Sequence, residues 1–274
     1  MASASRAALY ASDPSVDGAL LAWHEPGSQG ILMRDGAAGR VAGSHPAVGG
    51  ARLAVIGDGA IGVSQTSGPA FAVTISAPGA DAVAVSAGWV AWRAREGEQD
   101  AIHAAPLAGG RARRVMRASE LGRPSLDGDR LVFHAAGRSG GRIVLADLAA
   151  GRSRTVRRER RAQLLNPSLL GDELLYVRSI YRRQEVRVGS VTQGLLRRDR
   201  RLWQTVPTGR RDAGHEAGAS HHRHGHPKKL WRRPRAGVAT TLWTTALTAD
   251  AAYLTRLRQL ADKPLEAEIL RLPR

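Results

Sequence analysis

Pro124-Ser125-Leu126-Asp127-Gly128-Asp129-Arg130-Leu131-Val132-Phe133-His134 is the stretch on which the reading of the whole chain turns, because the chain repeats it. Near the start it reads Pro14-Ser15-Val16-Asp17-Gly18-Ala19-Leu20-Leu21-Ala22-Trp23-His24. It returns as Pro46-Ala47-Val48-Gly49-Gly50-Ala51-Arg52-Leu53-Ala54-Val55, and as Pro167-Ser168-Leu169-Leu170-Gly171-Asp172-Glu173-Leu174-Leu175-Tyr176. Each copy predicts a strand, a two-residue turn and a second strand. The Asp-Gly and Gly-Gly pairs favour the left-handed backbone of a tight hairpin, which glycine adopts without a Cβ clash. The second strand is apolar at nearly every position, as in Leu131-Val132-Phe133, where a half-exposed strand would alternate. Continuous apolarity predicts a strand covered on both faces, as where small sheets stack on neighbouring sheets.

A third strand follows each hairpin: Ile31-Leu32-Met33-Arg34-Asp35, Arg142-Ile143-Val144-Leu145-Ala146-Asp147 and Glu185-Val186-Arg187-Val188-Gly189-Ser190-Val191. Ser153-Arg154-Thr155-Val156-Arg157-Arg158-Glu159 fits a polar fourth strand at the outer edge. The unit is a four-stranded antiparallel meander, and its repetition at roughly 40–50 residues predicts a β-propeller. The anchors Pro14, Pro46, Val83, Pro124 and Pro167 lie 32, 37, 41 and 43 residues apart. The third copy, Val83-Ala84-Val85-Ser86-Ala87-Gly88-Trp89-Val90-Ala91-Trp92, keeps the glycine and loses the proline. The last copy spans Leu242–Asp250 and Ala252–Arg256, so the gap from 167 to 246 holds either a seventh blade or a long insertion. Only Arg201-Leu202-Trp203-Gln204-Thr205-Val206 reads as a further strand there, which favours the insertion and six blades. The chain closes on Glu268-Ile269-Leu270-Arg271-Leu272 as a third strand, and residues near Ala2 to Ala8 are expected to supply the missing outer strand and close the ring.

The Pro-Ser-x-Asp-Gly-x-x-Leu-x-aromatic phrase, followed by an Ile-x-x-x-Asp strand and a glycine turn, resembles the TolB-type (PD40, WD40-like) propeller repeat over almost the whole chain. The resemblance implies an all-β, six-bladed propeller occupying residues 1–274 as a single domain. It implies a binding or scaffolding module, with the periplasm or the exterior as its compartment. The separate α/β domain of TolB itself has no counterpart here.

Composition narrows the chemistry. The 274 residues contain no cysteine, which removes disulfides, thiolate metal ligands and a cysteine nucleophile. No apolar run of about 18 residues predicts a membrane-spanning helix, and Met1-Ala2-Ser3-Ala4-Ser5-Arg6 lacks the apolar core of a signal peptide. The net charge is +17, yet residues 1–100 hold six arginines against nine acids, so the excess belongs to the rest of the chain. Solvated outer strands are one reading of that excess; the other is a surface for an anionic ligand or protein partner. Nucleic acid is disfavoured, because no stacking platform of aromatics accompanies the arginines. The chain is read as a monomer.

Residues 209–234 stand apart in composition, and their low hydrophobicity predicts a disordered loop insertion. His215, His221, His222, His224 and His226 lie within it and are the candidate ligands for Zn²⁺, Ni²⁺ or Cu²⁺. Adjacent cations and the lack of a fixed second shell weigh toward adventitious binding, with no resident cofactor. Gly137-Arg138-Ser139-Gly140-Gly141 matches the Gly-x-Ser-x-Gly pattern but falls between two blade strands, not between a strand and a helix. His24 and His134 share one repeat position, which suits packing or a hydrogen bond at a blade edge. Asp17, Asp35, Asp127 and Asp147 recur as turn residues expected to bind local backbone N–H groups. No catalytic constellation is found. The function expected is therefore non-enzymatic binding at the channel mouth, with a lyase- or hydrolase-type enzyme and a metal-responsive module as alternatives.

Overall fold

The computed structural model describes residues 12–25, 30–68, 71–137, 140–180, 183–191, 199–204, 238–260 and 266–273. Every regular element among them is a β-strand. Blade 1 holds β1 (Ser12–Asp17), β2 (Leu20–His24), β3 (Gly30–Arg34) and β4 (Ala37–Val41) in that spatial order. Blade 2 repeats the meander with β5 (Ser44–Gly49), β6 (Arg52–Gly57), β7 (Ala60–Gln65) and β8 (Val73–Ser76). Blade 3 is β9 (Ala80–Val85), β10 (Trp89–Glu96), β11 (Gln99–Pro106) and β12 (Arg113–Ala118). In blade 4 the innermost strand is split into β13 (Glu120–Leu121) and β14 (Ser125–Asp127), both on β15 (Arg130–Gly137), followed by β16 (Gly140–Asp147) and β17 (Arg152–Glu159). Blade 5 comprises β18 (Gln163–Leu170), β19 (Glu173–Ile180), β20 (Arg183–Ser190) and β21 (Asp199–Gln204). Blade 6 has three described strands, β22 (Val238–Leu247), β23 (Ala251–Leu260) and β24 (Glu266–Pro273).

The core is divided among the seams, one apolar cluster to each of the six junctions. Along β15, Leu131 and Phe133 pack toward blade 3, while Val132 packs toward blade 5. That explains the unbroken apolar run: both faces of the strand are interior, and all three residues are fully buried. Leu21, Trp23 and Ile31 of blade 1 cluster with Ile269 of blade 6, which closes the ring. Blade 5 meets blade 6 directly, since the Ser168 hydroxyl donates to the Thr245 carbonyl at 2.6 Å. No seventh blade fits between them, and β21 is the fourth strand of blade 5. The expected closing strand at residues 2–8 and the insertion at 209–234 lie outside the described residues.

The recurring phrase does more than turn the chain. Its hairpin loops are Gly18-Ala19, Gly128-Asp129 and Gly171-Asp172, with the glycine at φ +56°, +60° and +54°. This is the pattern of a turn whose first central residue must be glycine. The aspartate is therefore the last residue of the strand, and its carboxylate is free to leave the turn. Here the expectation of local bonding needs correcting. Asp17 accepts the Ala51 N–H of blade 2 at 3.1 Å, and Asp127 accepts the Gly171 N–H of blade 5 at 2.7 Å. Only Asp147 caps its own turn, at Ala150 N. The serine of the phrase is a second staple: Ser15 Oγ donates to Val48 O and accepts from Val48 N. Arginines fasten the outer seams by donating to carbonyls of the next blade, Arg34 to Thr66, Arg113 to Leu148 and Arg154 to Val191.

Candidate functional site at the channel mouth

Each innermost strand carries a register shift part-way along its length or, in blade 4, a break between β13 and β14. A bulge puts two residues opposite one and turns a side chain out of the regular alternation. In four blades the site is the residue just before the recurring proline: Asp13, His45, Arg123 and Asn166. Asp13, His45 and Asn166 have φ of +56°, +47° and +43°. These are residue types that tolerate the left-handed region, and a proline after them disfavours the right-handed helical alternative. Together they form a polar collar on the axis, near the face opposite the glycine turns.

The collar is cross-linked. His45 Nδ1 lies 3.1 Å from Asp13 Oδ2, and the His24 and His45 rings stack with centroids 4.2 Å apart. Arg123 reaches across the ring from blade 4 to the opposite blade 1, donating to the Pro14 carbonyl at 3.0 Å, with Asp13 Oδ1 at 3.8 Å. Its side chain is only 12% exposed. Arg93 forks onto Asp81 at 2.7 and 2.8 Å and donates to the Leu121 carbonyl at 3.0 Å. Asp100 accepts the Leu121 N–H at 2.9 Å, and Arg95 at 2.9 Å. Beyond Arg123 the axis is lined by Ser15, Val48, Val85, Asn166 and Thr245, one or more from each remaining blade. The space left there is about 60 Å³, room for roughly four to six waters at 10–15 Å³ each.

Burial and pairing set the charges. Burial alone would raise the Asp13 carboxyl, but the His45 hydrogen bond and then the Arg123 charge outweigh it and hold it at about 2. Burial pushes the His134 imidazole down to about 3, assisted by the Arg93 charge, so this ring is neutral. His24 is lowered as well, first by burial and then by His45. Glu120 moves the other way, up to about 7, because burial and the nearby Asp100 disfavour its charge. It has no hydrogen-bond partner among the described residues.

His24 and His134 do occupy one structural slot, as their repeat position implies. Each accepts the backbone N–H of the next blade's bulge residue: His134 Nδ1 from Asn166 at 2.9 Å, His24 Nδ1 from His45 at 3.4 Å. Arg93 fills the same slot in blade 3. Chemically, the Asp13–His45 pair orients an imidazole at the mouth, but the neighbouring Ser15 and Ser44 hydroxyls are committed to the carbonyls of Val48 and Ile56. The collar was missed by reasoning from the sequence, although a signal existed. Aligning the repeats on their prolines places Asp13, His45, Arg123 and Asn166 in one column, polar and varied amid near-constant neighbours.

The metal candidates His215, His221, His222, His224 and His226 lie outside the described residues, and among the described residues no three His, Asp or Glu side chains form a metal-sized cluster. Arg138 and Ser139 also lie outside them; the flanking Gly137 and Gly140 pair across a hairpin, as a turn requires. No helix among the described residues is long and apolar enough to cross a membrane.

No family model and no curated protein matches the sequence. Solved structures do match in shape. A putative TolB from Agrobacterium tumefaciens superposes with a TM-score of 0.51 at 11% identity, over 80% of this chain and 73% of that one. TolB from Acinetobacter baumannii gives 0.51 at 13% identity, over 93% of this chain but only 59% of its own length. A chain of a nidogen/laminin complex gives 0.50 at 12% identity, over 70% of this chain and 78% of that one. At such identities the likeness is one of fold.

Proposed function

We propose that the chain is a TolB-like propeller that acts as a non-enzymatic binding or scaffold module, receiving a protein or anionic partner on the mouth of its channel at the collar face. The observation that carries this reading is the Arg123 strut. It spans the ring from blade 4 to blade 1 and leaves about 60 Å³ behind it, far less than the 300–1,000 Å³ of a usual small-molecule pocket. A partner is thus met at the rim of the mouth, where loops from all blades converge, and not within the channel.

The chain lacks cysteine, so one introduced thiol is the sole attachment point for a photo-crosslinker. Glu98→Cys places it in the exposed β10–β11 turn beside the collar, and Ala19→Cys in an exposed turn on the opposite face. The expected result is crosslinking to one discrete protein of the native organism from Glu98→Cys, and none from Ala19→Cys. Crosslinking from Ala19→Cys alone would overturn the choice of face. A second reading, a lyase- or hydrolase-type enzyme, draws on the Asp13–His45 pair at the mouth. Turnover of an ester or uronate substrate that disappears in His45→Gln would favour it over the first.

A further inference from the structure

The first hairpin of every blade has a two-residue loop, as where Asp17 pairs with Leu20 around Gly18-Ala19 and Ser86 with Trp89 around Ala87-Gly88. Such a loop closes on a pair that exchanges both hydrogen bonds. The residue before that pair therefore turns its N–H and C=O away from the second strand, toward the axis. In blades 1 to 6 it is Val16, Val48, Val85, Leu126, Leu169 and Leu247, and all six line the axial cavity of about 60 Å³. Two of these amides show the direction: Val48 donates to Ser15 Oγ of blade 1, and Leu169 to Ser125 Oγ of blade 4. The amides of Val16, Val85, Leu126 and Leu247 have no acceptor among the described residues. Alanine accounts for two of them. Ala47 and Ala84 stand where Ser15 and Ser125 stand, each paired with the residue seven further on, and offer no hydroxyl to Val85 and Leu126.

All six innermost strands run from the collar to the glycine turns, side by side around the axis. Their inward amides therefore form a layer on the collar side, with the matching carbonyls one step deeper. Above the amides lies Arg123, the one charged side chain among the described residues that line the cavity. It gives an Nη1 proton to the Pro14 carbonyl at 3.0 Å, whereas Nε and Nη2 have no acceptor among the described residues. Neither of those nitrogens is sealed from water-sized space. A guanidinium fork over a layer of converging amide donors is the geometry that holds an anion.

We propose that the channel holds a small monovalent inorganic anion, of chloride size, between the Arg123 guanidinium and the amide N–H groups of Val16, Val85, Leu126 and Leu247. The charges present select the valence. Asp13 Oδ1 lies 3.8 Å from Arg123 Nη1 and offsets part of its charge, so a divalent ion would bury a second charge with no cation to meet it. A cation entering from the mouth meets the guanidinium first and is repelled. Buried amides without acceptors are costly, and the ion satisfies them together. It also gives blades 1, 3, 4 and 6 a common centre that no side chain provides. The site lies inside the strut, apart from any partner at the rim, and its test needs no such partner.

The probe is sodium chloride, read by the ³⁵Cl NMR line width on the intact chain, with sodium gluconate holding the ionic strength constant. Excess broadening that bromide competes away is expected, and Arg123→Met should abolish it. Ala84→Ser supplies the missing cap to the Leu126 amide and should weaken binding by about tenfold. Ser15→Ala releases the Val48 amide and should strengthen it. Cooperative thermal unfolding of each variant above the assay temperature confirms that the ring is intact. Ions scattered over surface arginines would not give opposite shifts in the two serine variants. Broadening unchanged by Arg123→Met would overturn the site, and a shift in the same direction for Ala84→Ser and Ser15→Ala would overturn the amide layer as the ligand. Stronger competition by sulfate than by bromide for the Arg123-dependent broadening would overturn the choice of a monovalent ion.

Discussion

The seam between blades 1 and 2 and the seam between blades 4 and 5 solve one problem with the same part. In both, a histidine at the fifth position of the second strand accepts the N–H of a left-handed bulge residue in the next blade. In the later seam the acceptor is buried His134, the bond is 2.9 Å, and the bulge residue is the uncharged Asn166. In the earlier seam the bond is 3.4 Å and the bulge residue is His45, itself 28% exposed and paired with Asp13. One seam is sealed and the other carries ionisable groups to the surface. The contrast teaches that the repeat holds the connection fixed and changes the chemistry by changing one residue in the bulge column.

The sealed seam should be the costlier to disturb. His134 lies against Gly122 so closely that a Cβ there would overlap the ring atoms Cε1 and Nδ1. Gly122→Ala forces the imidazole away and takes the acceptor from the Asn166 amide. Overpacking plus a buried unpaired N–H should cost about 2–5 kcal/mol in urea unfolding. His24→Ala, at the longer and more open bond, should cost about 0.5–1.5 kcal/mol. Equal losses would erase the distinction between the seams.

The strut that ties blade 4 to blade 1 comes next in size. Arg123→Met leaves Asp13 largely buried with His45 as its remaining partner, and should destabilise by about 2–3 kcal/mol, below the 3–5 typical of a fully buried, directly bonded pair. Adding Asp13→Asn should recover part of that loss, because the uncompensated charge is gone. Strict additivity of the two changes would mean that the 3.8 Å approach carries no coupling.

How much of this was readable beforehand follows from what repeats. Pro14, Pro46, Pro124 and Pro167 recur because every blade needs the same bulge and turn, so the period of the sequence carried the architecture and the six-fold count. The outward reach of Asp17 and Asp127 was not legible, because an Asp-Gly pair looks the same whether its carboxylate serves its own turn or the next blade. Nor was the collar, since its members lie from 32 to 153 residues apart in the chain and come together only when the ring closes, as Arg123 and Pro14 do. Periodicity reports what neighbours share. A site on the axis is made from what they do not share.

Titration separates the sealed seam from the open mouth by the sign of its effect. The His134 imidazole sits at about 3 in the folded chain against an ordinary 6.5, so the unfolded chain binds the extra proton between those values. Its contribution is complete above 6.5 and is lost as the pH falls toward 3, about 1–2 kcal/mol by pH 5. Glu120 at the mouth sits at about 7 against 4.5, so the folded chain holds the proton there and stability is lost as the pH rises through 7. Being half-buried, it should contribute less than about 1 kcal/mol. Urea midpoints at pH 5, 6, 7 and 8 measure both limbs. His134→Gln should flatten the acid limb and leave the other, while Glu120→Gln should raise the midpoint at pH 8 and leave it at pH 5. Should both variants flatten the same limb, the burial assigned to one of the two groups is wrong, and with it the contrast between a sealed seam and an open mouth.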